Sequence, residues 1–267
     1  MKELTLQEIK EVEFSLLKVF AAFCEENHIK YYLAHGTLLG AIRYQKFIPW
    51  DDDIDLLIPR EDYNRLLTLY QDNDRYRLFA FEKDQNYRYP FAKFSDMTTR
   101  KIEIGHAEGI ERGLDLDLFP LDAWNDDLEK AKKEARSLKR KMFFLSLAKR
   151  DKPDSLHPVK RFVKGIVMSV CKMLGYKYFV KSILKASYKA GQTGSKYLGC
   201  KAWCVYGERG IIPAEAFAET ASVEFEGETF PAPGDYDLYL TCLFGDYLPE
   251  PPKEKQKTHH NFKAYKL

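Results

Sequence analysis

The chain has 267 residues, 45% hydrophobic and 31% charged, with a formal net charge of +2. This is the composition of a globular protein with a substantial core, and it excludes a chain disordered over most of its length. The opening Met1-Lys2-Glu3-Leu4 is too charged for a signal peptide and no later stretch is apolar for long enough to span a bilayer, so a cytoplasmic protein is expected, peripheral at most at the inner face of the membrane.

Thr5-x-x-Glu8 is a capping box, and Ile9, Val12, Leu16, Leu17 and Phe20 follow at helical spacing, which predicts an amphipathic helix up to about Glu26. Ile29 to Ala34 reads as a short strand, Gly36 permits a tight turn, and Leu38 to Arg43 reads as a helix. After a loop ending at Pro49, Asp53 to Ile58 reads as a strand closed by Pro59, with a helix over Glu61 to Tyr70. Arg77 to Glu82, Tyr89 to Phe94 and Arg100 to Ile104 follow as strands. Gly113 to Phe119 is a sharper one, because alternation puts Asp115 and Asp117 on one face and Leu114, Leu116 and Leu118 on the other.

A charged helix is expected from Asp126 to about Lys149, a second from Pro158 to Leu174 and a third from Tyr178 to Ala190. The second carries an apolar stripe of Val159, Phe162, Val163, Ile166, Val167, Val170 and Leu174. From Ser155 to Gly207 there is no acidic residue and there are ten basic ones, so this segment is +10 and the remainder −8. Such asymmetry calls for an anionic ligand or surface nearby. The expected fold is α/β (α+β), with a catalytic core over residues 1–125 and, packed on it, a basic helical region and C-terminal substrate-binding segment over 126–267. Five cysteines without tight pairing read as buried thiols. Cys200-x3-Cys204 with the distant His259-His260 matches no common zinc knuckle.

On a strand, Asp53 and Asp55 project two carboxylates from one side while Ile54 and Leu56 turn to the core, a way to hold a hard cation such as Mg²⁺ or Mn²⁺. Asp-x-Asp alone is equally the start of a solvated acidic strand. A neighbouring strand carrying Asp117 would add a third carboxylate, and three can hold a metal that stabilises charge on a transferring phosphoryl group. Gly36 and Thr37, before a helix, offer N–H groups and a hydroxyl to a phosphate, and Arg43 is a candidate for the same anion.

The stretch from His35-Gly36-Thr37-Leu38-Leu39-Gly40-Ala41-Ile42-Arg43 to Pro49-Trp50-Asp51-Asp52-Asp53-Ile54-Asp55 closely resembles the LicD family of phosphotransferases, bacterial relatives of the fukutin-type enzymes. The likeness extends to Leu116-Asp117-Leu118-Phe119-Pro120-Leu121-Asp122 and to Phe244-Gly245-Asp246-Tyr247-Leu248-Pro249, with Lys255 and His259 beyond. It implies a nucleotidyltransferase-like mixed sheet flanked by helices, with a C-terminal lid, in which Asp53, Asp55 and Asp117 bind Mg²⁺. It also implies a reaction: phosphocholine moves from CDP-choline, or another substituted phosphate from its CDP-alcohol, to a sugar hydroxyl of a lipid-linked, teichoic acid-like glycan precursor, and CMP leaves.

Asp52 and Asp122 fall in the same motifs; Asp52 has the parity to face away from Asp53 and to support the loop. His259 is a candidate contact from the lid. A choline group would need an aromatic cage, for which Trp50, Tyr236, Tyr239 and Tyr247 are candidates. Two other functions use the same residues: nucleotidyl transfer to a sugar phosphate or RNA, and a non-catalytic glycan- or nucleotide-binding module. The basic segment either packs its stripe on the core or lies on an anionic leaflet. It has no recognition motif or stacking platform, so no nucleic acid partner is expected.

Overall fold

The computed structural model describes residues 1–105, 110–153, 158–188, 194–258 and 261–267. The first half runs β1 (Lys2–Glu3), α1 (Leu6–Glu26), β2 (Tyr32–Leu33), α2 (His35–Tyr44), β3 (Asp55–Pro59), α3 (Arg60–Leu69), β4 (Tyr76–Phe79), β5 (Ala92–Glu103) and β6 (Arg112–Ala123). Three helices follow, α4 (Leu128–Lys149), α5 (Pro158–Leu174) and α6 (Tyr176–Tyr188). The chain ends with β7 (Tyr197–Gly199), β8 (Ile212–Pro213), β9 (Thr220–Phe225), β10 (Glu228–Pro233), α7 (Tyr236–Phe244) and β11 (Phe262–Lys266).

The main sheet is mixed, in the order β1-β11-β5-β6-β3-β2, with β4 added to β5 and β7 and β8 added beyond β6. Among the described residues only β3 and β6 pair in parallel; the other ladders are antiparallel. One face carries Leu56, Ile58, Leu116 and Leu118 against Leu16, Leu17 and Phe20 of α1, with the Phe20 ring 5.5 Å from Phe94. Burial of this face is the main driving force for placing α1. A second apolar cluster gathers Trp124, Leu138, Leu145, Met168, Phe179, Val180 and Ile183, mostly from α4, α5 and α6.

The capping box is formed: the Thr5 hydroxyl accepts the Glu8 N–H at 3.3 Å and the Glu8 carboxylate accepts the Thr5 N–H at 2.8 Å. The two strands expected over Tyr89–Phe94 and Arg100–Ile104 are one strand, β5, whose register shifts between Asp96 and Lys101. Thr99 fills the irregularity, its hydroxyl donating to the Asp96 carbonyl at 2.8 Å and accepting the Leu114 N–H at 2.8 Å. Gly113 is needed there, since a Cβ would lie 1.8 Å from the Asp96 carbonyl oxygen. β3 begins at Asp55, so Asp53 belongs to the preceding loop. That loop still runs along β6, because the Ile54 carbonyl accepts the Asp117 N–H at 2.9 Å.

Across β5 and β6 lies a buried charge network. Asp115 accepts from Lys93 at 3.2 Å, Lys101 at 2.9 Å and Arg112 at 3.3 Å. Arg112 also reaches Glu103 at 2.7 Å, and the Tyr89 hydroxyl donates to the same carboxylate at 2.6 Å. Burial alone would raise the Glu103 carboxyl, but Arg112 and the Tyr89 hydroxyl override it and bring it down to about 2. Asp115 is held low as well: burial pushes it up, and Lys101, Lys93 and Arg112 pull it down further than burial raises it.

Both groups bind protons less readily folded than unfolded, so their stabilisation is full above the unfolded carboxylate pKa and disappears as pH falls through the folded one. Unfolding free energy is therefore expected to drop between about pH 4.5 and 2, with Glu103 contributing up to about 3 kcal/mol. Urea melts across that range should show a shallower pH dependence in Glu103→Gln; an identical one would remove Glu103 from the account.

Candidate active site

Asp55 stands directly opposite Asp117 on the parallel pair, on the face away from α1. Neighbouring strands are about 4.8 Å apart, so the two carboxylates share one small region. Thr37 accepts the Asp55 N–H at 2.8 Å, which fixes the start of β3 against the first turn of α2. Asp51, Asp52 and Asp53 each bring a carboxylate oxygen within 4.8 Å of the other two. The Asp51 carboxylate lies on the first turn of α2, 2.7 Å from where a Cβ on Gly36 would be, so Gly36 makes room for it. Here the anion on the helix N-terminus is the protein's own carboxylate.

His35 ties these groups together. Its Nδ1 is 3.5 Å from Asp55 Oδ2, its backbone N–H donates to the Tyr239 hydroxyl at 3.3 Å, and its ring is 5.2 Å from both Phe119 and Tyr206. Burial lowers its pKa to about 4 against the opposing pull of Asp53 and Asp117, so the imidazole is neutral at pH 7. Of the three carboxylates expected to act together, Asp55 contacts this ring and stands opposite Asp117, while Asp53 clusters with Asp51 and Asp52 in the loop before β3. Tyr206 senses the same group: burial and then Asp55, Asp53 and Asp51 raise its hydroxyl.

Lys93, opposite Asp117 on β5, forms an ion pair with Asp117 as well as Asp115. It is buried; Asp115 and Asp117 outweigh the burial that favours the neutral amine and hold it protonated well above its usual range. On α1, Glu13 is buried with no hydrogen-bond partner among the described residues, and burial pushes its carboxyl well up. Sequence reasoning assigned no role to His35, Lys93, Tyr206 or Glu13. The signal for Lys93 was its parity on β5, readable only once β5 is paired with β6.

Other expected site residues lie elsewhere. Arg43 sits in the last turn of α2, about 10 Å along the helix from Gly36, and donates to the carbonyls of Tyr247 and Pro249, the latter at 2.8 Å. It fastens the C-terminal segment to α2. Asp122 is buried in a two-bond ion pair with Arg60 at 2.7 and 2.9 Å. Five residues beyond Asp117 on one strand, it faces the opposite side of the sheet about 16 Å away. Asp52, expected to face away from Asp53, is buried and instead belongs to the cluster, because the loop before β3 lacks the alternation of a strand; His259 lies outside the described residues.

Trp50, Tyr236, Tyr239 and Tyr247 do not form a cage. Trp50 and Tyr236 pack on the main core, Tyr239 is buried behind His35, and the Tyr247 hydroxyl donates to Asp237 at 2.7 Å. The half-buried aromatic beside His35 and these carboxylates is instead Tyr206; Trp203 and Tyr89 are half-buried as well. Trp203 lies 5.0 Å from Phe91 and 6.3 Å from Tyr89. Cys200 and Cys204 are buried thiols, the first accepting the Trp203 N–H at 3.2 Å.

Carboxylates on two parallel neighbouring strands of a mixed sheet, beside a helix N-terminus, make the frame of a phosphotransferase with a nucleotidyltransferase-like core. The family described as LicD/FKTN/FKRP, nucleotidyltransferase domain, matches residues 28–148. The lipopolysaccharide cholinephosphotransferase LicD of Haemophilus influenzae is 31% identical over 275 residues, covering 100% of both chains. Uncharacterized proteins of Rickettsia prowazekii and Rickettsia typhi are each 47% identical over 49 residues, 18% of this chain. The chain belongs to the LicD family of phosphotransferases.

Proposed function

We propose that this enzyme transfers phosphocholine from CDP-choline to a sugar hydroxyl of a lipid-linked cell-surface glycan precursor, teichoic acid-like, releasing CMP in a reaction that depends on Mg²⁺ or Mn²⁺. The observation that supports the reading is the placing of Asp55 directly opposite Asp117 on the parallel pair β3 and β6, next in sequence to the carboxylate cluster of Asp51, Asp52 and Asp53. Choline enters through the relative, which is a cholinephosphotransferase of lipopolysaccharide. The donor set fits a hard divalent cation: Asp51, Asp52 and Asp53 offer only carboxylate oxygens, within 4.8 Å of one another, and Asp55 and Asp117 add two more carboxylates from adjacent strands. Such an ion, when bound, neutralises charge on the donor phosphates and on the transferring group.

The protein's own residues prepare that site. Thr37 holds the Asp55 backbone in place, His35 fixes its carboxylate, and Lys93 keeps a positive charge beside Asp117. Half-buried Tyr206, its ring 5.2 Å from that of His35, supplies an aromatic group suited to a quaternary ammonium. Attack then falls on the phosphorus that carries the alcohol. With Mg²⁺, CDP-choline and a glycan acceptor, CMP is the expected product; release of pyrophosphate from a nucleoside triphosphate would establish nucleotidyl transfer instead. Tyr206→Leu keeps bulk but loses the ring face, so the KM for CDP-choline should rise by about 5- to 30-fold while that for CDP-glycerol barely moves. Equal changes for both donors would take Tyr206 out of choline recognition.

A further inference from the structure

Helix α5 is apolar on the wrong side for a helix that packs only on protein. At 100° per residue, Val159, Phe162, Val163, Ile166, Val170, Met173 and Leu174 fall within an arc of about 120°. All seven are exposed, from 47% at Val170 to 81% at Met173. The side turned to the protein is the opposite one, where Met168 and Cys171 are buried with α4 and α6. The stripe read from the sequence is therefore uncovered, apart from Val167, which packs on the second apolar cluster. No described helix is long and apolar enough to cross a membrane, and α5, at 17 residues, is about 25 Å long.

Charge decides what covers this face. Lys160, Arg161 and Lys172 on α5 and Lys177, Lys181 and Lys185 on α6 are exposed, within the segment Ser155 to Gly207 that holds ten basic residues and no acidic one. A second copy docking through α5 would set two such segments against each other, an arrangement like-charge repulsion opposes. An anionic surface that is also apolar beneath satisfies both features at once.

We infer that α5 lies flat on an anionic phospholipid leaflet, its seven apolar side chains in the acyl boundary and Lys160, at the edge of the stripe, among the headgroup phosphates, with the positive field of Arg161 and the other exposed lysines behind it. This holds whichever group the enzyme transfers, and its test needs neither donor nor metal.

The test is co-sedimentation of the full chain with phosphatidylcholine vesicles with and without phosphatidylglycerol. Wild-type protein should pellet with the anionic vesicles only, and high salt should release it. Lys160→Glu with Arg161→Glu should weaken binding by at least about tenfold. Phe162→Glu, Ile166→Glu and Met173→Glu together should weaken it by roughly a hundredfold, with circular dichroism and Tm unchanged because all three side chains are exposed. Failure to bind anionic vesicles, or unchanged binding by the triple variant, would overturn the inference. So would a dimer that the triple variant dissolves in a protein that ignores vesicles, since the occupant would then be a second copy.

Discussion

Asp53→Ala is expected to lower CMP release on the order of 10³-fold, the loss of about 4 kcal/mol of charge stabilisation in the transition state. The fold should survive. Asp53 is only half-buried, lies in the loop before β3 and adds nothing to the apolar core. Its carboxylate is crowded by those of Asp51 and Asp52, within 4.8 Å, so its removal eases like-charge repulsion there and should leave the chain cooperatively folded. The two effects separate function from structure in one variant. Single-turnover CMP release reads the first, and thermal melts with and without Mg²⁺ read the second. Wild type should gain stability on adding Mg²⁺ and Asp53→Ala should gain little. Unchanged turnover in the variant would sink the assignment of Asp53 to the reaction.

The parts of the site that share a face with an obvious pattern were legible in the sequence. Alternation in β6 put Asp115 and Asp117 together and turned Leu114, Leu116 and Leu118 to the other face, and the structure keeps that parity along the strand. The difference between the two aspartates was not legible. Asp115 is closed in by Lys93, Lys101 and Arg112, while Asp117 is paired with Lys93 and stands opposite Asp55. That distinction depends on which residue of β5 faces which residue of β6. The shift between Asp96 and Lys101 changes the register partway along, through a threonine hydroxyl that no periodicity announces. A motif likewise names residues without saying which way they point. Asp122 lies in one motif with Asp117, yet an odd number of steps along a strand sends it through the sheet to Arg60. Arg43 lies in one motif with Gly36, yet helical rise carries it away to the C-terminal segment. The basic helices were read correctly as helices, but the side their apolar stripe would face was settled only by where Met168 and Cys171 insert.

Lys93 links the structural network to the proposed metal, and its removal should show both roles. Its amine supplies countercharge to two carboxylates, and it is itself only 5% exposed. Lys93→Met keeps the length of the side chain and removes the charge, leaving Asp117 without this partner and Asp115 with Lys101 and Arg112. Breaking one side of a buried pair costs about 3–5 kcal/mol, so the metal-free variant should unfold at much lower denaturant than wild type. A divalent ion bound by Asp117 with Asp53 and Asp55 would restore the missing positive charge at one of the two carboxylates. Mg²⁺ should therefore stabilise Lys93→Met by more than it stabilises wild type, where the ion shares Asp117 with the ammonium already there. Urea melts of both proteins over a Mg²⁺ titration give the comparison directly. If the increment is equal or smaller in the variant, Asp117 does not join the ion, and its role reduces to the network that holds β5 against β6.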